Sequence, residues 1–192
     1  MRFDTVLIAN RGEIAVRIIR ACREQNLGCV SVYSTADRDA LHVKFADRAV
    51  CIGAPATADS YLRMDSIIEA CRQTGATAVH PGFGFLSENA EFAKLCREND
   101  ITFIGPSPEC IAMLGDKAQA KETMKAAGVP VIPGSEGALH SIEEAKEIAK
   151  KIGYPVLVKA SAGGGGRGIR RVDSEEQLEE QLHVAQEEAK KF

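Results

Sequence analysis

The tract 161-SAGGGGRG-168 follows 155-PVLVKA-160 without a break. Four consecutive glycines, Gly163, Gly164, Gly165 and Gly166, stand behind a short β-branched run. Successive backbone N–H groups in such a loop can converge on phosphate oxygens. Lys159 adds a point positive charge just before the tract, and Arg167 can add a second. The order is not that of a GxxxxGK[ST] loop, and no helix follows at once. A simple turn between two strands is the competing explanation. Four glycines, however, cost backbone entropy of roughly 1 kcal/mol each in a regular element, and turns seldom need so many. The tract therefore points to phosphate or nucleotide chemistry. It also lies 24 residues from the end of the sequence, too close to it for a complete nucleotide site to be expected.

Three further segments carry polar groups at informative places. In 80-HPGFGFLSEN-89 a predicted parallel strand ends in a loop, the place where open α/β sheets put their ligand sites. Phe83, Phe85 and Leu86 can plug a seam there, with His80, Ser87 and Glu88 at its edges and Ser87 set to cap the next helix. His80 has no paired carboxylate or second histidine near it in sequence, which argues against acid–base duty. The segment 8-IANRGEIA-15 occupies the position of a dinucleotide fingerprint but has one glycine in place of the GxGxxG set, so NAD binding is not expected. Asn10 and Glu13 are expected to fix the turn and the helix start, and Arg11 to face the sheet crevice. In 115-GDKAQAK-121, Lys117 lies where two units join and could reach back over a nucleotide cleft, although a solvated helix surface would look the same.

Alternating strand and helix patterns surround these segments. Strands are predicted over 5–9, 29–34, 48–53, 76–81 and 101–107, and helices over 13–25, 60–75 and 88–98. Ile14, Ile18 and Cys22 fall on one helical face, with Arg17, Arg20, Arg23 and Glu24 on the other. The helix at 60–75 is predicted to open on Ser60 or Asp59 and to stop at Gly75. Residues 108–128 read as helical linking material broken at Gly115, and 129–137 as irregular. Helices at 141–153 and 174–192 each begin with a capping box, Ser141 with Glu144 and Ser174 with Gln177. Between them, 155–160 and 169–172 read as a hairpin across the glycine tract. The expected fold class is α/β: a Rossmann-like domain with a parallel sheet over 1–115, then a second unit over 116–192.

Composition excludes other classes. Lysine and arginine number 24 against 27 acidic residues, a net charge of -3 with no basic stripe, so no nucleic-acid partner is expected. No run approaches 18 apolar residues, and the first residues lack a signal-peptide core, so no membrane partner is expected. Cysteines at 22, 29, 51, 71, 96 and 110 form no CxxC pair. They suit reduced, mostly buried thiols and a cytoplasmic location rather than a zinc site.

Taken together, 8-IANRGEIAVRIIRAC-22, 35-TADRDALHVKFAD-47, 80-HPGFGFLSENAEFA-93, 103-FIGPS-107, 115-GDK-117, 126-AAGVPVIPG-134 and 153-GYPVLVKASAGGGGRGIR-170 closely resemble the biotin carboxylases. This family includes the biotin carboxylase component of acetyl-CoA, pyruvate and propionyl-CoA carboxylases. The likeness extends over essentially the whole sequence. It implies an ATP-grasp fold, with residues 1–115 as the domain that precedes the ATP-grasp domain and 116–192 as its beginning. The lid over ATP would be truncated, with its glycine-rich loop at 161–168.

The resemblance also implies roles. Lys117 falls on the family's nucleotide lysine, Lys159 on the lysine contacting phosphates and nucleotide, and Gly163 to Gly166 on the loop that folds over them. Gly165 and Gly166 are the implied direct ATP contacts. Ala162 stands where the family usually has another glycine. The implied reaction activates bicarbonate with ATP and transfers the carboxyl group to protein-bound biotin. Magnesium or manganese would assist, held by residues expected beyond 192. The implied partners are a biotin carboxyl carrier protein, a carboxyltransferase and a second copy of the enzyme, meeting in part near Arg20 and Glu24. The resemblance implies the first half-reaction of acetyl-CoA carboxylase, in fatty acid biosynthesis, with a fragment of a pyruvate or propionyl-CoA carboxylase as an alternative. The family pattern continues well past residue 192. A fragment inactive by itself is therefore expected, with weak dimerisation at most. A different ATP-grasp ligase and a non-catalytic interaction module are the other readings.

Overall fold

The computed structural model describes residues 3–190 apart from 116, 136, 138, 140 and 160–168. The chain divides into two compact units, Met1–Gly115 and Asp116–Phe192.

In the first unit the order is β1 (Thr5–Ile8), α1 (Gly12–Glu24), β2 (Gly28–Ser34), α2 (Leu41–Phe45), β3 (Arg48–Gly53), α3 (Met64–Thr74), β4 (Ala78–His80), α4 (Ala90–Glu98), β5 (Thr102–Phe103) and α5 (Pro108–Gly115). The five strands pair in parallel in the order β3-β2-β1-β4-β5, the α/β arrangement expected from the alternating pattern. Strand side chains alternate between faces, so β1 feeds two cores. Val6 and Ile8 pack with Ala15, Ile18, Ile19 and Cys22 of α1. Leu7 packs with Ile67, Ile68 and Cys71 of α3 and with Phe92 and Cys96 of α4. Helices therefore cover both faces, as parallel sheets require.

The connections differ from the sequence reading in three places. Residues 35–47, where no period marks an element, form a 3-10 turn at Thr35–Asp37 and the short helix α2. Helix α3 begins at Met64 rather than at 60, and neither Ser60 nor Asp59 caps it. The Ser60 hydroxyl donates to the Ala56 carbonyl at 2.8 Å, and Tyr61 is buried, so these residues are already committed to the turn before the helix. Gly75 does stop α3, in the left-handed conformation at φ 70°. Helix α4 is capped by Asn89, whose side chain accepts from the Phe92 N–H at 2.8 Å, and not by Ser87.

The second unit contains α6 (Lys117–Ala126), α7 (Ile142–Ile152), β6 (Val156–Lys159), β7 (Ile169–Val172) and α8 (Glu175–Lys190). Ser141 caps α7 by accepting from the Glu144 N–H at 3.1 Å. At the start of α8, Gln177 accepts from the Asp173 N–H at 3.3 Å, one residue before the predicted cap at Ser174. Strands β6 and β7 form an antiparallel hairpin. One hairpin face, with Val156, Val158 and Val172, packs on Ala145 and Ala149 of α7 and Leu178 and Leu182 of α8.

Gly53 closes β3 at φ 148°, and a Cβ there would stand 1.9 Å from the Asp59 carbonyl oxygen. Gly75 also has positive φ, but a Cβ there meets nothing within 4 Å. Gly53→Ala should therefore cost at least about 3 kcal/mol of stability, from backbone overlap. Gly75→Ala should cost only about 1 kcal/mol, from the left-handed φ. Urea denaturation of both variants checks the contrast.

Candidate functional site

In the first unit the strand order reverses between β1 and β4, so the crevice outside their carboxyl ends is the place for a ligand. The loops that follow these strands meet there. Asn10, nearly fully buried, donates through Nδ2 to the Pro81 carbonyl at 2.7 Å and the Phe83 carbonyl at 2.9 Å. Its Oδ1 accepts from the Arg11 N–H at 2.8 Å. A Cβ on Gly82 would stand 2.7 Å from Asn10 Nδ2 and 2.8 Å from Ile14 Cγ2, so only glycine lets the loop lie this close. Asn10 thus fixes its own turn, as its position suggested, and also holds a loop 71 residues further on.

Arg11 does not project freely into the crevice. Its guanidinium donates to both carboxylate oxygens of Asp37, through Nε at 2.7 Å and through a second N–H. Asp37 Oδ2 also accepts from the Tyr61 hydroxyl at 2.7 Å and from Ser34 Oγ at 3.3 Å. The Tyr61 oxygen in turn accepts from the Ser34 N–H at 3.0 Å. The hydrogen bonds from Arg11, followed by that from Tyr61, hold the Asp37 carboxyl down at about 2 against the opposing effect of burial. Burial and the bond to Asp37 push the Tyr61 hydroxyl up to about 12. His80 Nδ1 accepts from the Gly82 N–H at 3.0 Å, and burial pushes its pKa down. The ring braces the turn, with its Nδ1 lone pair already engaged. A separate surface cavity of about 420 Å³ is lined by Gly12, Glu13, Val16, Arg17, Arg20 and Leu41.

In the second unit the outward face of the hairpin is the notable feature. Lys159 pairs with Ile169 across the strands, and Leu157 pairs with Arg171. All four are exposed, with Leu157 at 62%. Two aliphatic side chains and two cations share one sheet face, at the end of the hairpin where the glycine tract joins the strands. Such a face can take a planar ring on its apolar part and phosphate oxygens on its cationic part. Leu157 and Ile169 are not singled out by the reading of 155–160 and 169–172 as a hairpin. The signal was parity, since Leu157 is two residues from Lys159 and must share its face. Lys117 opens α6, but its side chain lies outside the described residues. Gly163, Gly164, Gly165, Gly166 and Arg167 also lie outside them. Among the described residues, no group of three or more His, Cys, Asp or Glu could hold a metal ion.

Comparison with known families places the chain. Residues 2–111 match the family described as biotin carboxylase, N-terminal domain. The chain belongs to the biotin carboxylase family. Residues 116–192 match the ATP-binding domain of the carbamoyl-phosphate synthase L chain. The biotin carboxylase of a Nostoc strain is 57% identical over 98% of this chain and 42% of its own length. A Campylobacter jejuni biotin carboxylase in complex with β-γ-ATP superimposes with a TM-score of 0.91 at 50% identity, over 99% of this chain and 43% of that one. The biotin carboxylase domain dimer of Hydrogenobacter thermophilus 2-oxoglutarate carboxylase, solved with MgADP, ADP and bicarbonate, gives 0.88 at 54% identity, over 100% and 42%. The chain thus spans about two fifths of the length of these relatives, and within this family its ATP-grasp domain is covered only in part.

The Asp37 cluster predicts an acid-side stability change. The folded pKa is depressed, so its contribution is present above the ordinary value of 3.8 and is lost as pH falls toward about 2. With the carboxylate only 11% exposed, that contribution is at most about 2 kcal/mol. Asp37→Asn should lower stability at pH 7 and flatten the loss between pH 4 and 2, as followed by denaturant melts at fixed pH.

Proposed function

We propose that this chain supplies the N-terminal domain, residues 1–115, and the opening of the ATP-grasp domain, residues 116–192, of an enzyme that carboxylates protein-bound biotin with bicarbonate and ATP. The observation that carries the reading is the outward hairpin face of Leu157, Lys159, Ile169 and Arg171 beside the glycine tract, in a chain of the biotin carboxylase family. Leu157 and Ile169 offer an apolar seat to the planar base of the nucleotide. Lys159 and Lys117 meet its negative charge. Gly163 to Gly166 lay backbone N–H groups over the phosphates, with Gly165 and Gly166 in direct contact. ATP supplies the phosphoryl group that activates bicarbonate, with magnesium or manganese balancing the phosphate charge. No residue of this chain is assigned to hold the metal, bicarbonate or biotin.

The partners of this reading are a biotin carboxyl carrier protein, a carboxyltransferase and a second copy of the enzyme. The surface around Arg17, Arg20 and Glu24 is our choice for part of the contact between copies. We place the enzyme in acetyl-CoA carboxylase, at the head of fatty acid synthesis in the cytoplasm. The likeness to a 2-oxoglutarate carboxylase component favours a second reading, in which the final acceptor is a 2-oxo acid. The 192-residue chain alone does not turn over ATP in this account.

A chimera tests this account. This chain replaces the matching residues of the Nostoc biotin carboxylase, and ADP release is measured with and without bicarbonate and free biotin. Bicarbonate-dependent, biotin-stimulated turnover within tenfold of the Nostoc enzyme is expected, with none from the 192-residue chain alone. Lys159→Met and Leu157→Asp should each raise the KM for ATP at least tenfold. A requirement for ammonia in place of biotin would overturn the assignment in favour of another ATP-grasp ligase.

A further inference from the structure

Four crossover connections of the first unit each send one side chain into a single column at the carboxyl edge of the sheet. Arg11 follows β1, Asp37 follows β2, Tyr61 follows β3 and Phe85 follows β4. Arg11 and Tyr61 both donate to Asp37, and the Arg11 guanidinium carbon lies 5.9 Å from the Tyr61 ring centre. The Tyr61 ring stacks on Phe85 with centroids 5.1 Å apart and planes 7° from parallel. Tyr61 is only 1% exposed, and its hydroxyl both donates and accepts, so the ring has one orientation.

Phe85 is the member with an energetic cost. It is held at φ 45°, in the left-handed region that non-glycine residues avoid. Gly82 and Gly84 beside it have φ 68°. A loop of this shape persists only where its surroundings over-determine it. Here the surroundings are the Tyr61 ring on Phe85, the buried Leu86 and the two Asn10 bonds to the backbone of Pro81 and Phe83. The consequence is an outward tip. Phe83 is 67% exposed although its neighbours are anchored, and it stands on the loop that borders the switch-point crevice.

We propose that Tyr61, oriented by Asp37, is a positioning residue that holds Phe85 in its left-handed conformation and thereby sets the Phe83–Gly84 tip for the carboxylation reaction. The step from loop geometry to reaction rests on the function proposed above. The device itself rests only on the column. Three hydrogen bonds report the loop: the Gly82 N–H to His80 Nδ1 at 3.0 Å, the Ser87 N–H to the Gly84 carbonyl at 3.0 Å and the Asn89 N–H to the Leu86 carbonyl at 3.2 Å.

The test is amide hydrogen exchange, followed by NMR, on the full 192-residue chain. Tyr61→Leu should speed exchange at Gly82 and Ser87 at least tenfold and leave β1 amides within twofold. Tyr61→Phe keeps the ring but loses the hydroxyl contacts to Asp37 and Ser34, and should give a smaller acceleration at Gly82 and Ser87, between threefold and tenfold. Should Tyr61→Leu not fold, Phe85→Leu breaks the same stack from the loop side with the same expected pattern. Uniform acceleration throughout the sheet would make Tyr61 an ordinary core residue and overturn the proposal, as would no acceleration at all. In an active chimera with the Nostoc enzyme, Tyr61→Leu should lower kcat at least fivefold with the KM for ATP within twofold. An unchanged kcat would reduce the column to scaffold and overturn the positioning role. A native chimera that fails to carboxylate biotin while the exchange pattern holds would instead refute the functional reading alone.

Discussion

The first unit depends on one strand that is enclosed from every side. β1 is paired in parallel with β2 on one edge and with β4 on the other, and helices cover both of its faces. Val6, Leu7 and Ile8 have essentially no exposure. A strand so enclosed cannot slip by one residue, because a slip would exchange the α1 face for the α3 and α4 face. Its fixed register delivers Asn10 and Arg11 to one place, directly beside the end of β4. Every polar contact at the switch point follows from that placement.

Above this apolar sheet lies a polar layer in which Asn10, Asp37 and Tyr61 each have hydrogen-bond partners. The Asp37 carboxylate is largely buried yet stays ionised, because guanidinium, phenol and hydroxyl donors surround it. Asn10 spends its amide and its carbonyl on backbone groups that would otherwise lack partners at the loop. Satisfied polar networks of this kind specify one arrangement, since any alternative leaves a buried donor or acceptor without a partner. They convert the end of a parallel sheet into a set of loops with fixed relative positions. The cysteines play no part in that layer. Burial pushes the Cys71 and Cys96 thiols up to about 12, so both behave as small apolar side chains of the core.

The second unit solves a different problem. A two-stranded hairpin is marginal by itself and needs helices on one face, which α7 and α8 provide. The other face is left with Leu157 and Ile169 beside Lys159 and Arg171. Exposed aliphatic side chains with cations on a sheet face are poor economy for a surface and good chemistry for a nucleotide. The proposed function gives that face to the nucleotide.

Much of this was legible in residues 1–192 alone. The alternation of apolar runs with amphipathic stretches determined a parallel α/β sheet, because strands buried on both faces and helices with one apolar stripe leave little else. Gly75 and Ser141 marked the end of α3 and the start of α7, since capping is local chemistry. The glycine tract behind Lys159 pointed to phosphate for the same local reason. What no local pattern contained was which distant residues meet. That Arg11 pairs with Asp37, that Tyr61 stacks on Phe85, and that Asn10 holds a loop 71 residues away became true only when four crossovers brought their loops to one sheet edge. The start of α3 at Met64 was decided in the same way, by burial of Tyr61 rather than by the helix propensity of 60–63. The outward turn of Leu157 likewise waited on which face of the hairpin the helices would cover. Hydrophobic periodicity is a property of a segment, whereas a hydrogen-bonded column is a property of the assembled sheet.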